Sequence, residues 1–270
     1  MFGNKFNWSF YSGNRPFTIT AANQLPNLNL WYNASTSSTT INGVSTANFN
    51  TAVSNGTLIS SWTDLTGLGA SANVNGGSGK RPAYATPIQN SLGAVQYTSA
   101  SSTNFDINPA AWSQNLSGLT IYVVARPTTL SGLFPLVVSD TFLGIWWNGT
   151  NWTVGQSSGN NGTVTLTNDT TKFHQYGIIF NGAATGNSNR LKLRYDKAST
   201  TLSYTGTVGT TTGSPAYWFF GGDNRGSAVN ATFTTTYMDG YIGEVLIWTR
   251  ALSTSEYLAA ESYIANKWAI

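Results

Sequence analysis

The side chains of this chain that could carry out chemistry are few, and their spacing decides most of what they can do. Ten carboxylates are present: Asp64, Asp106, Asp140, Asp169, Asp196, Asp223, Asp239, Glu244, Glu256 and Glu261. Glycoside hydrolysis needs two of them about 5 to 10 Å apart, which on one strand means acids at i and i+2 or i+4. No two of the ten stand within four residues of each other, so a local acid pair is absent and only a pair assembled across strands could serve. No catalytic residue is therefore assigned. Glu244 is the one glutamate on a predicted strand; Arg250, six residues on, is expected to return and pair with it as an internal brace between strand and helix. His174 is the sole histidine and opens a predicted strand whose same-face residues are Tyr176, Ile178 and Phe180, the setting of a structural imidazole rather than a base.

Two Asn/Asp clusters set the limit on metal binding. Asn104, Asp106 and Asn108 alternate, and Asp223 with Asn224 sits in the loop GGDNRG. A hard cation wants six to eight oxygens, usually with several carboxylates. Each cluster brings one carboxylate, so no cofactor is expected; calcium is the single candidate, and Asx turns explain both clusters equally well. Aromatic side chains are the other chemical resource. Trp146 and Trp147 point to opposite faces of one strand, which would leave one ring exposed, and Trp152 lies across the NGTN turn that begins at Asn148. Core packing is the expected reading of these rings; the alternative is that flat rings bordered by Asn and Thr grip a neutral glycan. Tyr217, Trp218, Phe219 and Phe220 read as a doubly buried strand.

The elements that position these groups follow from composition and pattern. Of 270 residues, 40% are hydrophobic, 13% aromatic and 9% charged, with 28 glycines, which suits many short strands and tight turns. The net charge of +3 comes without any run of Lys or Arg, so a nucleic-acid partner is not expected. There is no cysteine and no 18-residue apolar stretch, which removes disulfides, thiolate zinc sites and a membrane-spanning helix. The first residues lack the apolar core of a signal peptide, and none is expected. Residues 1–27 form an aromatic arm carrying Phe2, Phe6, Trp8, Phe10, Tyr11 and Phe17, expected to dock on its own domain or on a neighbour.

Strands are predicted at 28–32, 93–98, 119–126, 133–139, 142–147, 173–180, 190–195, 217–221, 232–237 and 241–248, with polar insertions at 35–60 and 67–79. In the last strand strict alternation puts Ile242, Glu244, Leu246 and Trp248 on one face and Tyr241, Gly243, Val245 and Ile247 on the other. Ser253 and Glu256 have capping-box spacing, and Leu252 and Tyr257 the spacing of a hydrophobic staple. The helix they start carries Tyr257, Ala260, Ile264 and Trp268 as an apolar stripe, with Glu256 and Lys267 facing water.

The C-terminal run DGYIGEVLIWTRALSTSE followed by YIANKW resembles the end of laminin-G-like, concanavalin A-like jelly rolls. Upstream, LNLWYNAS, ISSWTDLTG, RPAY before GAVQY, LTIYVVARP and HQYGIIFNG fall in that family's order, so the likeness covers 28–270. It implies an all-β antiparallel sandwich, a jelly roll with a short C-terminal helix. Members occur in phage virions and bacterial surface proteins. The resemblance implies a non-enzymatic structural protein of a bacteriophage particle, a capsid decoration or head-fibre protein held by its N-terminal arm. Its location would be the virion and its partners other virion proteins, as a homo-oligomer in the assembly and without a membrane. The alternative is a carbohydrate-binding module or tail adhesin that recognises a host-surface glycan. A polysaccharide-degrading enzyme is the third reading.

Overall fold

The computed structural model describes residues 18–35, 39–41, 44–45, 54–68, 71–74, 78–108, 111–157, 159–167, 169–222 and 236–270. The six aromatic residues assigned to the arm, Phe2, Phe6, Trp8, Phe10, Tyr11 and Phe17, lie outside these, as do Asp223 and Asn224 and most of the strand expected at 232–237.

Strand β1 (Leu28–Asn33) opens the fold, followed by the short β2 (Thr39–Ile41), β3 (Val44–Ser45), β4 (Ser61–Trp62) and β5 (Ala72–Asn73). Three of these four fall inside stretches expected to be loops, because their few residues show too little alternation to be read. Next come β6 (Ala83–Gln89), β7 (Leu92–Tyr97), β8 (Phe105–Ile107) and β9 (Gly118–Pro127). A meander follows: β10 (Phe134–Ser139), β11 (Gly144–Trp147), β12 (Trp152–Ser157) and β13 (Asn160–Val164). Then come β14 (His174–Asn181), a single helical turn α1 (Asn187–Arg190), β15 (Leu191–Tyr195), β16 (Ala198–Ser199) and β17 (Ser203–Thr205). The chain closes with β18 (Trp218–Phe220), β19 (Gly240–Trp248) and helix α2 (Thr254–Trp268).

Among the described residues these strands make two antiparallel sheets. Sheet one runs β16-β15-β14-β9-β19-β7-β6, with β1 also paired to β19; sheet two runs β17-β13-β12-β11-β10-β18-β8-β5-β4-β2-β3. The two enclose one large core. Leu119, Ile121, Val123 and Ala125 of β9 face inward, together with Tyr176, Ile178 and Phe180 of β14 and Trp147, Trp152 and Trp218 from sheet two. The alternate residues Tyr122 and Val124 face outward and are covered by α2 through Ala260, Ile264 and Trp268. Ile19, Ala22 and Leu25 belong to this second cluster, so the chain just before β1 is docked on its own domain.

Strand β19 is central, with β9 along one side and first β7, then β1, along the other. Its alternation differs from the expected one because the β9 register slips between Ile242 and Glu244, which leaves Gly243 as the extra residue of a β-bulge. Ile242 therefore joins Val245 and Ile247 in the main core, while Glu244, Leu246 and Trp248 face α2. Gly243 faces α2 as well: a Cβ there would lie 2.2 Å from the ring of Trp268. That ring is fully buried and cannot swing aside. Gly243→Ala is expected to cost about 1 to 3 kcal/mol as an overpacked core site, read as a lowered midpoint in thermal unfolding.

Helix α2 starts as its sequence indicates. Glu256 accepts the backbone N–H of Ser253 at 2.9 Å and its hydroxyl at 2.8 Å. Arg250 does not reach Glu244. It forks onto Glu256 with bonds of 2.7 and 2.8 Å, and this pairing, reinforced by the Ser253 bonds, holds the Glu256 carboxyl down at about 2.

Candidate functional site

At one end of the sandwich the end of β9, the start of β14, the β11–β12 hairpin and residues 169–172 meet around a small cleft between the two sheets. Pro127, Leu130, Trp152 and Tyr176 form its apolar walls; Asp169, Thr170 and His174 form its polar side. The hairpin is fixed by Asn148, whose Oδ1 accepts the N–H groups of Thr150 (3.0 Å) and Asn151 (2.7 Å), while its Nδ2 donates to Thr153 Oγ1 at 3.1 Å. Opposite, β15 and β16 are joined by Asp196 and Lys197, both with left-handed φ (45° and 68°), the pair of conformations that a tight two-residue hairpin requires.

His174 ties these pieces together. Its Nδ1 lies 2.7 Å from Asp196 Oδ2 and its Nε2 3.0 Å from the carbonyl oxygen of Asp169. Both partners can only accept, so satisfying both requires two N–H groups, which only the imidazolium has. The ring also stacks on Tyr195 with centroids 5.0 Å apart. Burial by itself lowers the pKa of His174, but the Asp196 carboxylate and the Asp169 contacts outweigh it and leave the group above 6.5. With both nitrogens engaged, the ring clamps Asp196 of the β15–β16 turn to the backbone at Asp169. The structural role expected of His174 is met.

A test follows from the sign of this shift. Because the folded-state value is raised, the clamp contributes fully below 6.5, the unfolded value, and is lost as pH rises through the folded one. Denaturant midpoints should therefore fall between about pH 6 and pH 8. His174→Gln should remove most of that slope; a variant that keeps the wild-type slope would show that other groups carry it.

Of the two readings of the tryptophans, the structure has core packing and not the glycan grip. Trp146 and Trp147 do point to opposite faces, but both are buried, at 5% and 6% exposure, and Trp152 is fully buried. Trp147 and Trp152 meet edge to face in the main core, and Trp146 packs with Val138 and Phe219 on the outer side of sheet two. The ring expected to be exposed is covered because the outer side of this sheet has its own apolar layer, completed by Leu133, Phe142 and Tyr217. Asn148 is exposed. Of the calcium candidates, Asn104 and Asp106 are buried and Asn108 is exposed, so the three do not share one surface. Among the described residues no three acidic or histidine side chains converge in a way that could hold a metal ion.

The strongest electrostatic centres are interior. Glu244, fully buried, accepts Trp31 Nε1 (2.7 Å), Trp268 Nε1 (2.8 Å), Tyr263 Oη (3.1 Å) and Lys267 Nζ (3.0 Å). Its cation is thus Lys267, one helical face away from where sequence reasoning placed it, and Lys267 does not face water. Glu261, 1% exposed, binds the Arg194 guanidinium through both oxygens and the Tyr122 hydroxyl at 2.9 Å. Burial pushes the Lys267 ammonium down and Glu244 pulls it back; hydrogen bonding to Glu261 raises Arg194. Both centres pin α2 to sheet one. Five of the other acids, Asp64, Asp140, Asp169, Asp196 and Asp239, also accept hydrogen bonds from neighbouring protein groups.

No protein-family model matches the chain, and no curated protein matches it by sequence. Solved structures do match in shape. Domain 4 of a GH43 extracellular arabinanase from Geobacillus stearothermophilus, solved in complex with arabinotriose, aligns at TM-score 0.51 and 12% identity, over 87% of this chain and 97% of that domain. Trypanosoma rangeli sialidase aligns at 0.52 and 13%, over 90% of this chain, and the binding domain of botulinum neurotoxin serotype G at 0.51 and 12%, over 89%. The likeness is one of fold. The chain spans about a third of the length of the sialidase and about half of the toxin binding domain. What is shared is an antiparallel β-sandwich of the jelly-roll, lectin-like type.

Proposed function

We propose that this protein is a glycan-binding β-sandwich module that takes a sugar ring at the cleft between β9, β12 and β14. The observation that carries the reading is the cleft itself, apolar on the side of Pro127, Leu130, Trp152 and Tyr176 and polar on the side of Asp169, Thr170 and His174. Its enclosed space is only about 10 Å³, room for one water molecule, so a sugar ring would lie across the mouth and send in a single hydroxyl. Support comes from the end-to-end likeness to a domain solved with arabinotriose. The state of the acids also favours binding over cleavage: Glu244, Glu256 and Glu261 each hold buried or half-buried ion pairs, and His174 has no free nitrogen.

The test is affinity electrophoresis in gels containing plant and bacterial polysaccharides, with the wild type beside Thr170→Trp, which fills the cleft from its rim. Retardation of the wild type, lost in the variant and without release of reducing ends, is the expected result. Equal retardation of both proteins, or none for either, would overturn the cleft as the site. That the module is carried on a virion by its N-terminal arm, residues 1–27, is a separate proposal, resting on the sequence resemblance. Removing residues 1–20 should abolish incorporation into particles while the sandwich still melts cooperatively.

A further inference from the structure

Two polar side chains on the outer face of sheet one lack the partners their chemistry asks for. Arg126, near the end of β9, lies over two adjoining rings, its guanidinium carbon 4.5 Å from the centroid of Tyr241 and 5.4 Å from that of Phe173. Its Nε is buried and donates to nothing, and its Nη1 reaches only the carbonyl of Thr171, at 3.5 Å. No carboxylate among the described residues pairs with it: Asp239 is taken by Ser99 through bonds of 2.7 and 2.6 Å, and Asp169 by Thr171 and Lys172. Gln175 lies one register step inward on the same face, opposite Val124 where Arg126 is opposite Tyr241. It is 1% exposed, and neither atom of its amide has a partner. An unsatisfied buried group is unfavourable, and of the two only Arg126 is partly exposed, so a ligand's polar atoms at its guanidinium would find an interaction the protein itself does not supply.

The shelf adjoins the cleft. Arg126 precedes Pro127, and the 169–174 segment gives Asp169, Thr170 and His174 to the cleft and Thr171 and Phe173 to the shelf. A single guanidinium suits a single negative charge, since the one neighbouring ammonium, Lys172, is held at 3.5 Å by Asp169. The planar fork matches a carboxylate through two parallel bonds, and beside it Tyr241 is half-buried, leaving part of its ring to meet a sugar, while Phe173 is buried against Trp268. We infer that the preferred ligand is an acidic saccharide, whose ring carboxylate is bound by Arg126 beside Tyr241. This deepens the glycan-binding reading and rests on it.

The experiment titrates the full chain, by calorimetry, with trigalacturonate, with sialyllactose and with the neutral arabinotriose. Wild type should bind at least one acidic probe about tenfold more tightly than the neutral one, a difference of about 1.4 kcal/mol. Arg126→Gln should erase that preference, and Arg126→Lys, which keeps the charge but not the fork, should recover only part of it. A melting curve for each variant confirms the fold; Tyr241→Leu, which removes a wall and leaves the cation, stands in if Arg126→Gln does not fold. Binding of the neutral probe alone, unchanged in Arg126→Gln, would overturn the acidic-ligand inference and leave the glycan-binding reading standing. Absence of binding to all three would overturn both.

Discussion

A chain lacking residues 253–270 should fail to give a soluble folded protein. Among the described residues helix α2 and the segment before β1 cover the outer side of sheet one where Tyr122, Val124, Leu246 and Trp248 lie, and the helix's own Ala260, Ile264 and Trp268 have no exposure. Burying a side chain such as Ile264 is worth roughly 1.5 to 3 kcal/mol, and the truncation uncovers several on each side at once. It also strips Lys267, Trp268 and Tyr263 from Glu244 and removes Glu261 from Arg194, leaving two charges without their partners. Together these losses match or exceed the roughly 5 to 15 kcal/mol by which a domain is stable. Soluble yield and cooperative melting are the readouts. A truncated chain that melts within a few degrees of the parent would show that the sandwich stands without its helix.

Glu244→Ala should have the largest effect of any single substitution, about 3 to 5 kcal/mol. Removing the carboxylate leaves the Lys267 ammonium 17% exposed without a counter-charge and two indole N–H groups, of Trp31 and Trp268, without an acceptor. Lys267→Met attacks the same centre from the other side and should cost less, because three neutral donors still hold the carboxylate. Glu244→Gln, which retains an acceptor oxygen, should fall between Glu244→Ala and wild type. Urea unfolding of the three variants gives the order. If Glu244→Ala loses less than about 1 kcal/mol, the centre is no stronger than a surface ion pair.

What could be read in the sequence was what neighbours in sequence decide. The Ser253–Glu256 cap, the apolar stripe of α2 and the inward set of β14 depend on residues a few positions apart, and all three are present. The jelly-roll sandwich was legible for the same reason, through strands whose two faces are both apolar. Strands β12 and β13 were missed because TVGQS and NNGTV are polar on one side and glycine-containing, and they pair only because β11 and β17 flank them. The bulge at Gly243 was invisible because alternation counts residues and cannot register an extra one. Lys267 and Arg250 exchanged their expected roles for a geometric reason: 14 or so residues of helix bring Lys267 back over β19, whereas Arg250 turns outward at the helix start. The cleft and the Arg126 shelf had no local signal at all, since each is assembled from strands far apart in the chain.

The position of β19 fixes when this fold can be completed. β1 is the first described strand and β19 the last, yet they are adjacent, and Trp31 and Glu244 bond across 213 positions. During synthesis β1, β7 and β9 therefore emerge long before the strand that separates and joins them. Sheet one cannot close until the ribosome has delivered Trp248, and its outer side stays bare until α2 follows. Contacts of such separation fold slowly and leave strand edges open while they wait. Nascent chains should thus be most vulnerable to proteases and to one another late in translation, and a helper that shields the β9 edge in that interval would raise yield more than one acting after release.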